Sequence, residues 1–164
     1  GSRPVLVEIQ ALVAPSALAT PRRAVVGWDS GRLAMIMAVL DARCGLALGP
    51  LDVYLNVAGG LKISEPAADL AVASALVSAQ SAEALDRGTV IFGEIGLSGE
   101  IRPVSRIDAR LKEAEKLGFT KAIVPKIRAK KSKATSSMTL IEISHLRETE
   151  VILAPKPSKS STSG

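Results

Sequence analysis

The chain has 164 residues, the length of one domain that can bury a substantial core. Hydrophobic residues make up 47% of the chain and aromatic residues only 2%, so the core must be built from Ala, Val, Leu and Ile, and base-stacking platforms of single-strand binders are not expected. The formal net charge of +5 favours polyanionic partners, and the single cysteine, Cys44, excludes an internal disulfide and a cysteine-based zinc site.

The sequence predicts a cytoplasmic, reduced and soluble domain cut from a longer protein. No apolar run approaches the ~20 residues needed to span a bilayer, and no signal peptide is recognisable. Residues 1–4 are predicted to be a vector-derived N-terminus, residues 5–153 the domain, and residues 154–164 a disordered or vector-derived tail.

The first part of the chain predicts two strands, a helix and a third strand. Hydrophobic and polar residues alternate from Val5 to Val13, as in a strand with one buried face. Apolar residues at spacings of three and four then predict a helix that Asp29 or Ser30 caps and Gly45 ends. The predicted strands of this part are residues 5–13, 24–26 and 51–58.

Residues 59–77 predict a glycine loop followed by a buried helix. Ser64 or Glu65 can cap this helix, and Pro66 suits its first turn, where the missing N–H is harmless. Residues 67–77 are almost all small or apolar, so the helix is predicted to be enclosed on most sides. A helix start after a strand and a loop is a common place for a nucleophile or an anion site, but the side chain of Ala67 can provide neither.

The last part predicts a hairpin, a helix and two further strands. A strand at 90–92 is expected to form a hairpin with a strand at 100–104, because Gly96 and Gly99 mark a turn. A helix is predicted to open at Ser105, with Asp108 in a capping-box position and residues 107, 111, 114 and 117 facing inward. Strands at 121–125 and 139–143, a basic loop at 126–133 and a short helix from Ser144 to residue 150 complete an α/β fold with a mixed sheet.

Few side chains suggest chemistry of their own. The sequence contains no GxxxxGK[ST] phosphate loop, no paired histidines or cysteines for a metal, and no glycine-flanked serine elbow. His145, the only histidine, is predicted to be a surface or capping residue, and Cys44 a small core residue. Ser98 lies between Leu97 and Gly99 in a turn, where serine is favoured for backbone reasons alone.

Three motifs together resemble a known family. They are PRRAVVG at 21–27, NVAGGLKI at 56–63 and FGEIGLSGEIRP at 92–103, and in this order they resemble the C-terminal domain of the RadA (Sms) family of bacterial DNA-repair ATPases. The resemblance covers roughly residues 5–153 and implies a Lon proteolytic-domain-like, ribosomal protein S5 domain 2-like fold. The family's zinc finger and RecA-like ATPase core are missing from this sequence, so ATP, Mg²⁺ and Zn²⁺ are expected in those parts and no cofactor in this domain.

The resemblance also implies a domain without catalytic residues. Lon proteases carry a nucleophilic serine in a Gly-Pro-Ser-Ala-Gly motif and a lysine in a Gly-Gly-Leu-Lys run; the matching residues here, 65–69 and 105–108, place Ala67 and Asp108 at those positions. Without an alkoxide source or a base, no acyl-enzyme can form by that route. The alternative is a serine–lysine type peptidase that uses Ser64, Ser98 or Ser105 as an unrecognised nucleophile.

The family further implies a six-membered ring that contacts single-stranded or branched DNA in an ATP-driven recombination and branch-migration motor, with RecA recombinase as a partner and no membrane contact. Long cationic side chains on rigid elements suit phosphate contacts. The DNA-binding candidates are Arg23, Arg32, Lys62 and Arg102, with Arg22, Arg106 and Arg110 of second rank. Each could instead be a solvated charge or an ion-pair partner. The ring could also be a scaffold that binds no DNA alone.

Overall fold

The structure is a computed structural model that describes residues 8–59, 65–126 and 137–149. Its elements confirm the predicted α/β class. They are, in chain order, β1 (Glu8–Pro15), β2 (Arg23–Val26), α1 (Ser30–Cys44), β3 (Leu51–Ala58), a 3₁₀ turn (Pro66–Ala68), α2 (Asp69–Ser81), β4 (Thr89–Ile91), β5 (Glu94–Ile95), β6 (Ile101–Arg102), α3 (Ile107–Lys116), β7 (Lys121–Pro125) and β8 (Thr139–Ile143). The predictions for both chain ends, for Ser64 and Lys62, and for most of the basic loop fall outside the described residues.

The first sheet has the strand order β1-β3-β2. The central strand β3 pairs antiparallel with β1 and parallel with β2, so the sheet is mixed as expected. Val53, Leu55 and Val57 are buried on the inner face of the sheet, where they share a hydrophobic cluster with α2. The alternation predicted for the first strand is confirmed over its described residues, because Glu8 and Gln10 are exposed while Ile9 and Ala11 are half-buried.

The connection from β2 to α1 depends on one glycine. Gly27 has a φ of +83°, and a Cβ at this position would collide with the Val57 carbonyl of the neighbouring strand. Asp29 then caps α1 as predicted, because its side chain accepts a hydrogen bond of 2.8 Å from the Arg32 backbone N–H. Gly45, with a φ of 70°, ends the helix.

Helix α2 lies at the centre of the core. Leu70, Val72, Ala73 and Leu76 have no exposed surface, which confirms the prediction of an enclosed helix. The inner faces of the first sheet and of α1 belong to the same hydrophobic cluster as this helix, and Cys44 packs against it. Asp69 is the only charged residue of α2, and it is also fully buried.

The second sheet corrects the predicted hairpin. Strand β4 does not form the hairpin; it pairs in parallel with β7, and β7 pairs in parallel with β8. The hairpin arm is β5, which follows after Gly93 and pairs antiparallel with β6. The Phe92 N–H still donates to the Ile123 carbonyl, so the chain leaves the second sheet only after Phe92.

The predicted start of the third helix is also wrong. Helix α3 begins at Ile107, and Arg106 precedes it in the left-handed region with a φ of 58° and no side-chain cap. Ser105 does not form a capping box; its carbonyl accepts a hydrogen bond from the Arg110 side chain. Leu117 was expected to face inward but is 59% exposed, because the chain turns at Gly118 and Phe119 packs into the second core cluster instead.

After β8 the chain makes a tight turn at the predicted position. The Glu148 carboxylate accepts hydrogen bonds from the backbone N–H groups of Ser144 and His145, at 2.8 Å and 2.9 Å. A short helical turn covers residues 147–149, and residue 150 lies beyond the described part of the chain. This turn docks on the hairpin, since the Ile101 N–H donates to the Ser144 carbonyl.

Candidate functional site

The turn between β3 and α2 is where the sequence predicted a vacant nucleophile position. Glu65 caps the turn, because its side chain accepts from the Ala67 N–H at 3.2 Å. The backbone of Gly93 holds the turn from the other side: its N–H donates to the Ala67 carbonyl and its carbonyl accepts from the Leu70 N–H, both at 3.0 Å. Ala67 is buried and presents only a methyl group.

A buried ion pair lies directly after this turn. The Nε and Nη2 atoms of Arg32 each donate to one carboxylate oxygen of Asp69 at 2.7 Å, a bidentate geometry. The Ile95 N–H donates to the same carboxylate at 3.0 Å. The hydrogen bond with Asp69 raises the pKa of Arg32 further above its usual value, although burial opposes this, and Glu94 and Asp29 add to the effect. Asp69 thereby joins α1, α2 and the hairpin.

The start of α3 approaches the same turn. The Arg110 guanidinium lies 4.0 Å from the Glu65 carboxylate, donates to the Ser105 carbonyl at 2.8 Å and lies over the Phe92 ring at 5.9 Å from its centre. Asp108 is exposed in the first turn of this helix. The position that the resemblance matches to the Lon lysine is thus a solvated carboxylate near the helix N-terminus.

The predicted DNA-binding arginines divide into two groups. Arg32 and Arg110 meet carboxylates that flank the Pro66–Ala68 turn, and Arg102 lies in the hairpin, in register with Glu94. Arg106 precedes α3 in the same part of the molecule. Arg22 and Arg23 lie at the N-terminal end of β2, whereas α1 and Arg32 follow its C-terminal end. The structure therefore does not bring all the predicted cations together.

The arginines also differ in how strongly they are engaged. The Arg23 guanidinium donates to the Leu51 carbonyl at 2.6 Å and to the Gly49 carbonyl at 2.9 Å. Arg23 is nevertheless exposed to solvent. The Arg22 N–H donates to Asp52 at 2.7 Å, and this hydrogen bond is the main reason that the pKa of Asp52 is lowered. Arg102 pairs with Glu100 at 2.9 Å at the surface, where both side chains remain substantially exposed.

Sequence reasoning missed the roles of Asp69, Glu65 and Phe92 as partners of these arginines. A signal for Asp69 was present, because a lone carboxylate at the start of an otherwise apolar helix requires a cationic or N–H partner. The partnership of Phe92 with Arg110 joins two segments far apart in the sequence and had no local signal.

Residues 8–59, 65–126 and 137–149 contain no cluster of three or more metal-ligating side chains. Within the same ranges, no helix is long and apolar enough to cross a membrane.

Comparison with known proteins identifies the class of this α/β domain. A family model described as subunit ChlI of Mg-chelatase matches residues 32–128, more than half of the chain. The DNA repair protein RadA of Brucella abortus is 70% identical over 125 residues, which are 76% of this chain and 27% of that protein. The RadA proteins of Rickettsia bellii and Aquifex aeolicus are 51% and 47% identical over 153 residues.

The chain therefore belongs to the family of that model, and it is a member of the RadA family by its identity to these relatives. It spans between 27% and 34% of the length of these three relatives.

Proposed function

We propose that this chain is a non-catalytic, Lon-like domain of a RadA-type DNA-repair protein, and that it joins subunits into a hexameric ring and contacts DNA. The repair role rests on the 47–70% identity to proteins named DNA repair protein RadA. In the complete protein, an ATPase core with ATP and Mg²⁺ and a zinc finger with Zn²⁺ would drive recombination and branch migration in the bacterial cytoplasm, with RecA recombinase as partner.

The observation that carries the non-catalytic assignment is the turn at Ala67. A methyl group stands where a nucleophile would stand, and the nearby cations Arg32 and Arg110 face the carboxylates of Asp69 and Glu65. A general base must lie within hydrogen-bond reach of the nucleophile that it activates, and a guanidinium with a pKa above its usual range cannot act as one.

The peptidase alternative gains no support from the described contacts. Ser98 is exposed, and its backbone N–H and carbonyl are engaged by Glu100 and His145. Among the described residues, no hydrogen bond joins Ser98 or Ser105 to a lysine. Labelling with a fluorophosphonate probe tests this alternative: we expect no adduct, and an adduct that Ser64→Ala, Ser98→Ala or Ser105→Ala removes would overturn the non-catalytic assignment.

DNA contact is supported by the net charge of +5 and by the arginines that remain exposed after their pairing, Arg22, Arg23, Arg102 and Arg106. Arg32, Arg110 and Lys62 remain candidates, although Arg32 is hydrogen-bonded to Asp69 and Arg110 donates to the Ser105 carbonyl and lies 4.0 Å from Glu65. Because phosphate contacts release counterions, the logarithm of the DNA affinity should fall linearly with the logarithm of the salt concentration.

The experiment measures duplex and single-strand binding by the 164-residue chain against salt, together with its mass in solution. A linear decrease with salt, in an assembly larger than a monomer, is the expected result. If the chain forms an oligomer that does not bind DNA even at low salt, the domain is a scaffold only, and DNA contact belongs to the rest of the protein.

A further inference from the structure

The outer face of the first sheet carries an apolar groove. The groove has a volume of 290 Å³, and its walls include Leu12, Val26 and Tyr54, with the amide side chains of Gln10 and Asn56 at one end. Leu12 is 59% and Val26 63% exposed, and none of the residues that line the groove is charged. An uncharged, concave apolar surface of this kind can receive an apolar side chain from a partner.

The same chain presents an apolar side chain on a rigid tip. Leu97 is 68% exposed at the tip of the hairpin between β5 and β6. Its carbonyl accepts from the Arg43 guanidinium at 3.3 Å, and the carbonyl of Ser98 accepts from His145 Nε2 at 2.9 Å. The Leu146 N–H donates to the Gly99 carbonyl at 2.7 Å. A leucine held out by a backbone that α1 and the turn after β8 both restrain loses little conformational entropy on binding.

The tip and the groove lie on opposite sides of the first sheet. Tyr54 and Asn56 face the groove, whereas the alternate residues of β3 face the core cluster that contains the buried side of α1. Arg43, in the last turn of α1, contacts the tip, which places the tip on the helix side of the sheet. The tip of one chain therefore cannot reach its own groove.

We propose that the groove binds Leu97 of a second copy of this chain in a head-to-tail contact. Charge complementarity supports this occupant, because the guanidinium of Arg43 lies beside the tip while the exposed Glu8 precedes Gln10 on the face that carries the groove. A contact between two different surfaces repeats from subunit to subunit and closes into a ring when its rotation allows. The inference rests on the ring proposed above and specifies which surfaces build it.

Two variants and their mixture test the contact by sedimentation velocity across a concentration series. Leu97→Asp removes the tip and leaves the groove intact; Val26→Asp spoils the groove and leaves the tip intact. Each alone should sediment as a monomer, whereas their equimolar mixture should form a one-to-one dimer, because only one intact tip and one intact groove remain per pair. Leu117→Asp, at another exposed leucine, is the matched control and should assemble as the unchanged chain does.

Three results would overturn the inference: an unchanged chain that stays monomeric at every concentration, variants that assemble normally, or a mixture no larger than its parts. Circular dichroism melting checks that each variant is folded, and Leu97→Ser with Val26→Thr repeats the test with milder changes, for which we expect at least about a tenfold weaker association. Salt-dependent DNA binding is measured on the same samples. If Leu97→Asp alone assembles normally while DNA binding persists, this contact is wrong and the proposed function stands.

Discussion

Asp69 is the one charged residue that the described ranges bury completely, and Arg32 is its main counter-charge. A buried carboxylate is tolerated only when it is paired and hydrogen-bonded, and here two guanidinium N–H groups and the Ile95 N–H satisfy it. At the scale of the residue, Arg32 is therefore a structural cation. Charge reversal at this position would disturb the fold before it reported on DNA.

We predict that Arg32→Met destabilises the chain by about 3–5 kcal/mol, because it leaves the Asp69 carboxylate buried without its partner. Arg102→Met, which breaks the exposed pair with Glu100, should cost only about 0–1 kcal/mol and is the matched control. Urea unfolding measures both values. Adding Asp69→Leu to Arg32→Met should recover part of the loss. Equal costs for Arg32→Met and Arg102→Met would contradict the assignment.

At the scale of the element, the features that depend on local sequence pattern could be predicted. The apolar spacing of α1, its cap at Asp29 and the enclosed character of α2 were all readable, because each depends on neighbours along one helix. The partner of β4 was not readable, because its pairing with β7 joins segments about thirty residues apart and no hairpin turn signals it. The left-handed Arg106 that delays α3 had no signal either, since glycine or asparagine usually marks that conformation.

The turn after β8 should make stability depend on acid pH. The pKa of Glu148 is lowered from its ordinary value of 4.5, chiefly by the Ser144 backbone N–H; burial opposes this as the second-largest effect, and the His145 N–H and the Ser144 hydroxyl add to the lowering. A carboxyl with a lowered folded-state pKa stabilises the fold above its unfolded pKa and loses this contribution as pH falls through the folded pKa. We therefore expect Glu148→Gln to be less stable than the unchanged chain at neutral pH.

The difference in stability between the Glu148→Gln chain and the unchanged chain should shrink as the pH falls below about 4.5 and toward the lowered pKa of Glu148. Thermal melting of both chains across this range measures it. Glu142→Gln, on the exposed side of β8, provides a comparison variant on the neighbouring strand. A gap between the Glu148→Gln and unchanged chains that stays constant with pH would show that the loss comes from something other than the carboxylate charge.

At the scale of the whole molecule, the candidate arginines of the described residues divide into two groups. Arg22 and Arg23 form the β2 end. The hairpin end consists of Arg32, Arg102, Arg106 and Arg110, which lie near the β5–β6 hairpin and the start of α3. The sequence could rank Arg23, Arg32, Lys62 and Arg102 as candidates because it shows where cations flank elements. It could not show that Arg32 faces a buried carboxylate, or that the Arg23 guanidinium donates to the Leu51 and Gly49 carbonyls. Which end meets DNA is therefore a question for binding measurements.

The salt dependence of DNA binding separates the two ends. If a duplex contacts both, Arg23→Gln and Arg102→Gln should each reduce the slope of log affinity against log salt by about 0.9, and the double variant by about twice as much. If it contacts one end, a single variant should account for the whole reduction. Lys112→Gln, exposed on α3, is the control and should keep the unchanged slope. An unchanged slope in the double variant would exclude both arginines as phosphate contacts and direct the search to Arg22, Arg106 and Lys62. That outcome would leave the ring contact through Leu97 untouched, because assembly and phosphate binding use different side chains.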